Sequence, residues 1–254
     1  MKAELNVIFG INPILEKLKA SPQEIVEIFI SGGAGAAVET EARRLDVRVS
    51  RATRAQLDRI SRGARHQGAV AQVTAFCYRP IGELLDGAFL LSQPCRILIL
   101  DEITDPRNFG ALLRCADGAG VFHVVIPKDR SVGVTPTVVK SSAGAAHHVN
   151  VYRVTNLRQT MKQLKDRGFW LVGLEAGAPT SIYDRTYPEK LAIVLGSEGR
   201  GMRPLVRQEC DFLVSIPMSG KIDSLNVAVA GAVFLYEIRR QCASIDIDKV
   251  GAKR

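Results

Sequence analysis

The chain has 254 residues, which at about 150 residues per domain predicts two modest domains. Its 46% apolar and 24% charged residues are typical of a globular protein, which excludes disorder over most of its length. The net charge of +8, from 34 basic and 26 acidic residues, favours an anionic partner and leaves its class open between nucleic acid, lipid and nucleotide.

The first predicted domain covers residues 1–78 and mixes helices with short strands. Asn12 and Pro13 form a typical N-cap and first helical residue, so they predict a helix over the apolar residues that follow. Hydrophobic spacing then predicts strands at 24–30, 47–50 and 69–76 and helices at 39–45 and 52–61. Together these elements indicate a small α/β domain.

Eight arginines between positions 43 and 65 form a basic cluster within this domain. Only Asp46 and Asp58 oppose them in that window, and the planar guanidinium group suits phosphate oxygens. No aromatic residue lies between Phe29 and Phe76, so the cluster predicts contacts to a nucleic-acid backbone rather than base stacking; the alternative is a solvated helix face. The expected contacts are Arg43, Arg44, Arg48, Arg51, Arg54, Arg62 and Arg65, and Arg59 is the eighth member of the cluster.

A linker at 79–95 and a second domain at 96–243 are expected next. The linker contains a short helix candidate around Leu84 and Leu85. Alternating strands and helices then predict a mostly parallel sheet with helices on both faces, and a polar tail at 244–254 is expected to fray. The strands are predicted at 96–101, 122–126, 149–152, 169–174, 192–195 and 212–216, and the helices at 109–119, 156–167, 201–209 and 225–240.

Three loops follow carboxyl ends of these strands, which is where ligands bind in open α/β sheets. In the first loop, Asn108 is a candidate helix cap, and Arg114 lies on the otherwise apolar helix beyond it. The second loop, 196–202, has three glycines in six residues, which let the backbone approach a ligand. In the third, Ser224 is a candidate cap for the last helix, and Asn226 is expected in its first turn.

Several common cofactor and metal motifs are absent from the sequence. It has no G-x-G-x-x-G after the first strand of the second domain, no P-loop and no G-x-S-x-G elbow. His147 and His148 are adjacent rather than at helical spacing, so no metal is expected. The five cysteines include no CxxC pair and predict reduced thiols. Without a long apolar run or a signal-peptide pattern, we expect a cytoplasmic protein that does not contact membranes.

The three loops resemble the three signature motifs of the SpoU (TrmH-like) RNA 2′-O-ribose methyltransferases of the SPOUT superfamily, and they occur along the chain in the same order as in that family. The resemblance covers residues 96–241. In the first domain, FGINPI at 9–14 and HQGAVA at 66–71 resemble the RlmB subgroup, which methylates a guanosine of large-subunit (23S) ribosomal RNA. The three motifs read NFGALLR at 108–114, LGSEGRG at 195–201, and IPMSG with SLNV at 216–220 and 224–227.

The resemblance implies a second domain whose last segments thread into a trefoil knot. It also implies that the first domain is a small α/β RNA-binding module resembling a ribosomal protein. The enzyme would be a homodimer through the knotted domains, with each active site completed by both chains. The implied cofactor is S-adenosyl-L-methionine. Its family contacts map onto Gly196, Ile216 and Leu225, with Leu195, Gly199, Pro217 and Met218 as neighbours.

The implied reaction moves a methyl group from a sulfonium to a ribose 2′-hydroxyl, and Arg114 is its first candidate residue. Because guanidinium stays charged, we expect it to stabilise the developing alkoxide or hold the adjacent phosphate; a base role helped by the RNA phosphate is the alternative. Asn108, from the partner subunit, is expected to orient Arg114 and the ribose. Glu198 is expected to anchor its loop and receive hydrogen bonds, and Ser224 and Asn226 to position substrate and cofactor.

Two other functions stay open. A sister enzyme that methylates transfer RNA carries the same three loops, and only the first domain favours ribosomal RNA. A self-modifying drug-resistance methyltransferase is a variant with similar architecture. The alternative from another class is an RNA-binding ribosome-assembly protein without catalysis, which the intact residues Asn108, Arg114, Glu198, Ser224 and Asn226 oppose.

Overall fold

The computed structural model of the protein describes residues 5–74, 76–87 and 94–251. The chain divides into two compact units, Met1–Cys77 and Tyr78–Arg254. Residues 88–93 of the predicted linker lie outside the described residues, as does position 75 in the predicted strand 69–76.

The first unit is built on a mixed sheet of four strands. In chain order its elements are β1 (Leu5–Phe9), α1 (Ile11–Ala20), β2 (Ile25–Ile30), α2 (Ala36–Arg44), β3 (Val49–Arg51), α3 (Arg54–Ile60) and β4 (Ala69–Thr74). The sheet order is β1-β4-β2-β3, in which β4 runs antiparallel to β1 and β2, and β3 runs parallel to β2. Apolar residues of α1, α2 and the sheet, such as Ile14, Ile28 and Val38, form one buried cluster. This confirms the predicted α/β unit.

Two features at the start of this unit differ from the prediction. Helix α1 begins at Ile11 rather than after Asn12, because Gly10, with φ 96°, makes the turn into the helix. Gln67 Oε1 accepts the hydrogen bond of the Ile11 N–H at 3.3 Å, so Asn12 does not act as the cap. Strand β1 is missing from the prediction because its five residues give little periodicity and pair only with the distant β4.

The second unit contains a sheet of six parallel strands, in the order β10-β8-β9-β5-β6-β7. This confirms the predicted parallel sheet. Its central strand β5 is an apolar run buried on both faces, as parallel strands covered by helices are. The elements are α4 (Ile81–Asp86), β5 (Cys95–Leu100), α5 (Pro106–Ala119), β6 (His123–Pro127), α6 (Pro136–Ser141), β7 (Asn150–Val154), α7 (Leu157–Lys165), β8 (Trp170–Leu174), β9 (Lys190–Leu195), α8 (Pro204–Glu209), β10 (Phe212–Val214) and α9 (Val227–Gly251).

Helices α5 and α9 pack tightly against each other beside the centre of this sheet. A β-carbon at Gly231 of α9 would meet the side chains of Leu112 on α5 and Leu195 at the end of β9. Glycine at 231 therefore lets α9 lie close to α5 and to the end of β9, where the candidate loops begin.

The helices of this unit differ from the prediction in several places, and α8 begins at Pro204, three residues after its predicted start at residue 201. Helix α6 is not predicted, because three of its six residues, at 137–139, are β-branched and have low helix propensity. Helix α5 begins at Pro106, three residues before the predicted start at Phe109. Helix α9 continues to Gly251, through most of the segment predicted as a frayed tail. Among the described helices, none combines the length and apolar character needed to cross a membrane.

Candidate active site

The loops after β5 and β9 begin side by side. Leu100 and Leu195, the last residues of these two strands, are register partners in the parallel sheet. The Asp101 N–H donates to the Leu195 carbonyl at 2.8 Å, so the pairing continues one residue beyond β5. This edge of the sheet is where a parallel α/β sheet places its ligands.

The loop 196–202 is a tight turn that needs glycine. A β-carbon at Gly196 would overlap the carbonyl carbon of Gly201 and the nitrogen of Met202. Ser197 and Gly201 exchange two backbone hydrogen bonds, of 3.0 and 2.9 Å. Gly199 and Gly201 both have positive φ, of 80° and 68°, which side chains disfavour. The backbone of this loop is therefore held in one shape, with Glu198 at its tip.

Three predicted site residues, one from each loop, form a closed triangle of hydrogen bonds. Asn108 Nδ2 donates to Glu198 Oε2 at 3.1 Å. Asn226 Nδ2 donates to Asn108 Oδ1 at 3.1 Å and to Glu198 Oε1 at 3.3 Å. Hydrogen bonds between groups this far apart in sequence fix the three loops relative to one another. Among the described residues, the second Nδ2 proton of Asn108 has no acceptor.

The helix caps decide which of these side chains can reach the triangle. Asp105 caps α5 by accepting the Arg107 N–H at 2.6 Å, so the prediction that Asn108 caps this helix is wrong. Asn226 caps α9: its Oδ1 accepts the N–H groups of Ala228 and Val229 at 2.9 and 3.4 Å. The prediction that Ser224 caps α9 is therefore also wrong. Ser224 instead donates to Asp223 Oδ1 at 3.2 Å.

A cavity of about 620 Å³ opens beside this triangle. Glu198, Ser224 and Asn226 line it on the polar side. Of the residues expected to contact the cofactor, six lie in its wall: Leu195, Gly196, Gly199, Ile216, Met218 and Leu225. Pro217 lines a second cavity of about 440 Å³, which shares Ala176, Ile216, Met218 and Asp223 with the first.

Arg114 stands apart from the triangle. Its side chain is exposed and forms no hydrogen bond or ion pair with any residue in the described part of the chain. The amide of Asn108 contacts Glu198 rather than Arg114. Burial raises the pKa of the neighbouring Cys115 thiol, an effect that the positive charge of Arg114 opposes. One chain therefore does not bring its own Arg114 and Asn108 into contact.

Asp101 and Arg203 form an ion pair at this edge of the sheet, and neither residue was predicted to belong to the site. Asp101, completely buried, accepts hydrogen bonds from the backbone N–H and the Nε of Arg203, each at 2.8 Å, and its Oδ1 lies 2.6 Å from another guanidinium nitrogen of Arg203. Arg203 directly follows the loop 196–202. The sequence gives one indication of a role for Asp101: an acidic residue directly follows an apolar strand.

In the first unit, the structure separates the arginine cluster into two sets. All eight side chains are exposed. Four of the arginines, here called the paired set, form ion pairs with Glu27, Glu39 and Glu41. The other four, the unpaired set, have no ion-pair partner among the described residues. The positive charge of the cluster is therefore concentrated on α3 and the turn after it. The paired set is Arg43, Arg44, Arg48 and Arg51, and the unpaired set is Arg54, Arg59, Arg62 and Arg65.

Two family profiles together match most of the chain. The SpoU rRNA Methylase family matches residues 96–236, which is more than half of it. The chain belongs to this family. A second profile, described as RNA 2′-O ribose methyltransferase substrate binding, matches residues 7–79 in the first unit. The triangle and the cavity thus lie within the methylase region.

Curated relatives align along nearly the whole chain. The 23S rRNA (guanosine-2′-O-)-methyltransferase RlmB of Neisseria meningitidis is 42% identical over 238 residues, covering 92% of this chain and 94% of the relative. The putative TrmH family tRNA/rRNA methyltransferase YacO of Bacillus subtilis is 39% identical over 245 residues, covering 95% and 98%. Both relatives are therefore similar in both units.

Solved structures share the fold. The SpoU methyltransferase AviRb of Streptomyces viridochromogenes, solved with AdoMet, aligns with a TM-score of 0.66 at 23% identity, covering 94% of this chain and 91% of that one. A putative RNA methyltransferase of the TrmH family from Porphyromonas gingivalis aligns with a TM-score of 0.65 at 27% identity, covering 93% and 90%. The architecture is thus that of SpoU methyltransferases.

Proposed function

We propose that this protein methylates the ribose 2′-hydroxyl of a guanosine in 23S ribosomal RNA with S-adenosylmethionine as the methyl donor. The observation that carries the proposal is the meeting of Asn108, Glu198 and Asn226 beside the cavity. The relatives named RlmB, about 42% identical over more than nine-tenths of the chain, support the substrate. Because that substrate is ribosomal RNA, we propose that the enzyme acts in the cytoplasm.

The cavity fits the proposed cofactor in size and in charge. At about 620 Å³ it is within the ~300–1,000 Å³ typical of small-molecule sites. Leu195, Ile216 and Leu225 give it apolar walls for an adenosine, and glycine at 196 lets the loop 196–202 close on itself beside these walls. The acidic residues Glu198 and Asp223 also line it, and their carboxylates suit the positively charged sulfonium and ammonium groups of the ligand.

Bound S-adenosylmethionine supplies an electrophilic methyl group on a sulfonium. The protein must then align a ribose oxygen with that methyl and stabilise charge as the hydroxyl loses its proton. The amide oxygen of Asn108 accepts from Asn226, and one of its amide protons is donated to Glu198. Its second amide proton would donate to the ribose. Glu198 holds the two asparagines in place through its two oxygens.

We propose that Arg114 acts across a dimer interface. A β-carbon at Gly118 would meet Tyr236 Oη, so α5 and α9 share a surface there, and Arg114 lies one turn before Gly118 on the same face of α5. This surface exposes apolar groups: Val229 is 50% and Tyr236 is 52% exposed. A second copy packed on it would cover these groups and carry each Arg114 toward the other chain's active site, as a charged group that stabilises the alkoxide or holds the phosphate.

The first unit is proposed to hold the RNA by its backbone. The unpaired set of arginines has charge available for phosphates, whereas the paired set is already neutralised by glutamates. This choice adds Arg59 to the predicted contacts and gives less weight to Arg43, Arg44, Arg48 and Arg51.

We further propose that the end of the chain forms the family's trefoil knot. After β10, Ser215 pairs with the segment 180–182: its N–H donates to Thr180, and its carbonyl accepts from Ile182, both at 2.9 Å. The chain then passes along the cavity to Asn226, which contacts the loops after β5 and β9. A path between earlier segments is what the knot requires.

Ribose-methylation mapping of total RNA, with and without the intact gene, tests the proposed function. Loss of one 2′-O-methyl guanosine in 23S rRNA is expected. Loss of a transfer-RNA mark instead would favour the sister enzyme. An unchanged map would favour the non-catalytic assembly protein.

A further inference from the structure

The loop 196–202 and the loop after β5 are joined by one arginine. The backbone N–H and the guanidinium of Arg203 both donate hydrogen bonds to the buried Asp101. Its Nε also lies 3.6 Å from Glu102, a residue with φ 58°, in the left-handed region. Asp101 and Glu102 open the loop that leads to Asn108, whereas Arg203 closes the loop that carries Glu198.

We propose that Arg203 and Asp101 are positioning residues for the active site: together they hold the two loops at the separation that lets Asn108 and Glu198 bond. Neither side chain lines the cavity, so the pair acts through the loops and not by touching a ligand. Two guanidinium nitrogens of Arg203 lie against Asp101 Oδ1, and the Arg203 backbone N–H donates to Oδ2, so this one residue supplies partners to both oxygens of the buried carboxylate.

Without this ion pair, we expect the loop 196–202 to adopt its binding-competent conformation only part of the time. If the competent loop conformation is only partly populated, the apparent Kd rises by the inverse of that fraction. We expect Arg203→Met to raise the Kd for S-adenosylmethionine about tenfold and to lower kcat. The matched control is Arg158→Met, which breaks a similar ion pair between Arg158 and the mostly buried Glu209, remote from the cavity.

A double variant separates positioning from simple stability. Arg203→Met leaves the buried Asp101 charge unpaired, which destabilises the fold. Asp101→Asn combined with Arg203→Met removes both charges, so the free energy of unfolding is expected to recover while the Kd stays raised. Recovery of both quantities together would overturn the proposal. If Arg203→Met does not fold, Arg203→Lys is used instead, because lysine keeps the positive charge but has one side-chain nitrogen. This variant is expected to raise the Kd by a smaller factor, and a wild-type Kd would overturn the proposal.

Because the proposal rests on the proposed cofactor site, one measurement is made without cofactor. Hydrogen exchange of the Ser197 and Gly201 amides, which pair across the loop, reports its order directly. A tenfold rise in Kd requires the loop to be in its open form about nine-tenths of the time, so in Arg203→Met these amides are expected to exchange at least about tenfold faster, and in Arg158→Met at the wild-type rate. Unchanged exchange would overturn the positioning role. Faster exchange in a protein that fails to bind S-adenosylmethionine would overturn only the proposed function.

Discussion

Asn226 performs two tasks that substitutions can separate. Its Oδ1 caps α9, and its Nδ2 donates to Asn108 and Glu198. Asn226→Ser retains an oxygen that caps a helix well but loses the amide donor, whereas Asn226→Ala loses both. The two variants therefore differ in the cap and share the broken triangle.

The geometry gives different magnitudes for the two tasks. A hydrogen bond to a charged group contributes roughly 1.5–3 kcal/mol, so both variants are expected to lose roughly 10–150-fold in turnover. A helix cap contributes about 1 kcal/mol, so the Ala variant is expected to melt roughly 2–4 °C below the Ser variant. Transfer of labelled methyl to 23S rRNA measures the first quantity and thermal unfolding the second. Wild-type turnover in Asn226→Ser would refute the role given to the triangle.

Three other predictions follow from the same structure. Replacing the unpaired set of arginines by Gln is expected to weaken RNA binding and to reduce its log–log salt slope by roughly 3, against less than about 1 for the paired set; equal effects in a salt titration would contradict the division of the cluster. Arg114→Ala is expected to lower kcat roughly 10²–10³-fold with the Kd for S-adenosylmethionine unchanged, and mixing it with a chain defective in cofactor binding should restore some activity, whereas no recovery would argue for a one-chain site. Burial lowers the pKa of His123 to about 4. Its stabilising contribution is therefore present above the unfolded pKa of about 6.5 and is lost as the pH falls towards 4, so His123→Gln should flatten that part of the acid unfolding curve; an unchanged curve would disprove this assignment.

The sequence predicted the second unit well because its signals are local and strong. Strands such as β5 are continuous apolar runs, and their alternation with helices allows few arrangements other than a parallel sheet. The family motifs, moreover, identified loops that the structure brings together at one edge.

The caps were harder to predict because two suitable residues competed at each helix. Asp105 and Asn108 are both good capping residues, as are Ser224 and Asn226. Which one caps depends on where the chain turns, and this is set by contacts with distant loops. The structure frees Asn108 for the triangle and gives the second cap to Asn226.

The charge of the arginine cluster could be read only in part from the sequence. The Arg43–Glu39 and Arg44–Glu41 pairs follow helical spacing, so they were accessible to pattern reasoning. The pair between Arg48 and Glu27 depends on β3 lying parallel to β2, a neighbour set by the fold. The same limit applies to Asp101 and Arg203, which are 102 positions apart and meet only through the register of β5 and β9.

The position of the transferred methyl group tests the central claim most directly. Purified protein would be incubated with 23S rRNA and S-adenosylmethionine labelled in its methyl group, and the RNA would then be hydrolysed with alkali. A 2′-O-methyl group blocks cleavage at its own nucleotide, so the label is expected in alkali-resistant dinucleotides that contain guanosine. Label released only in mononucleotides, or no label in the RNA at all, would contradict ribose methylation by this site.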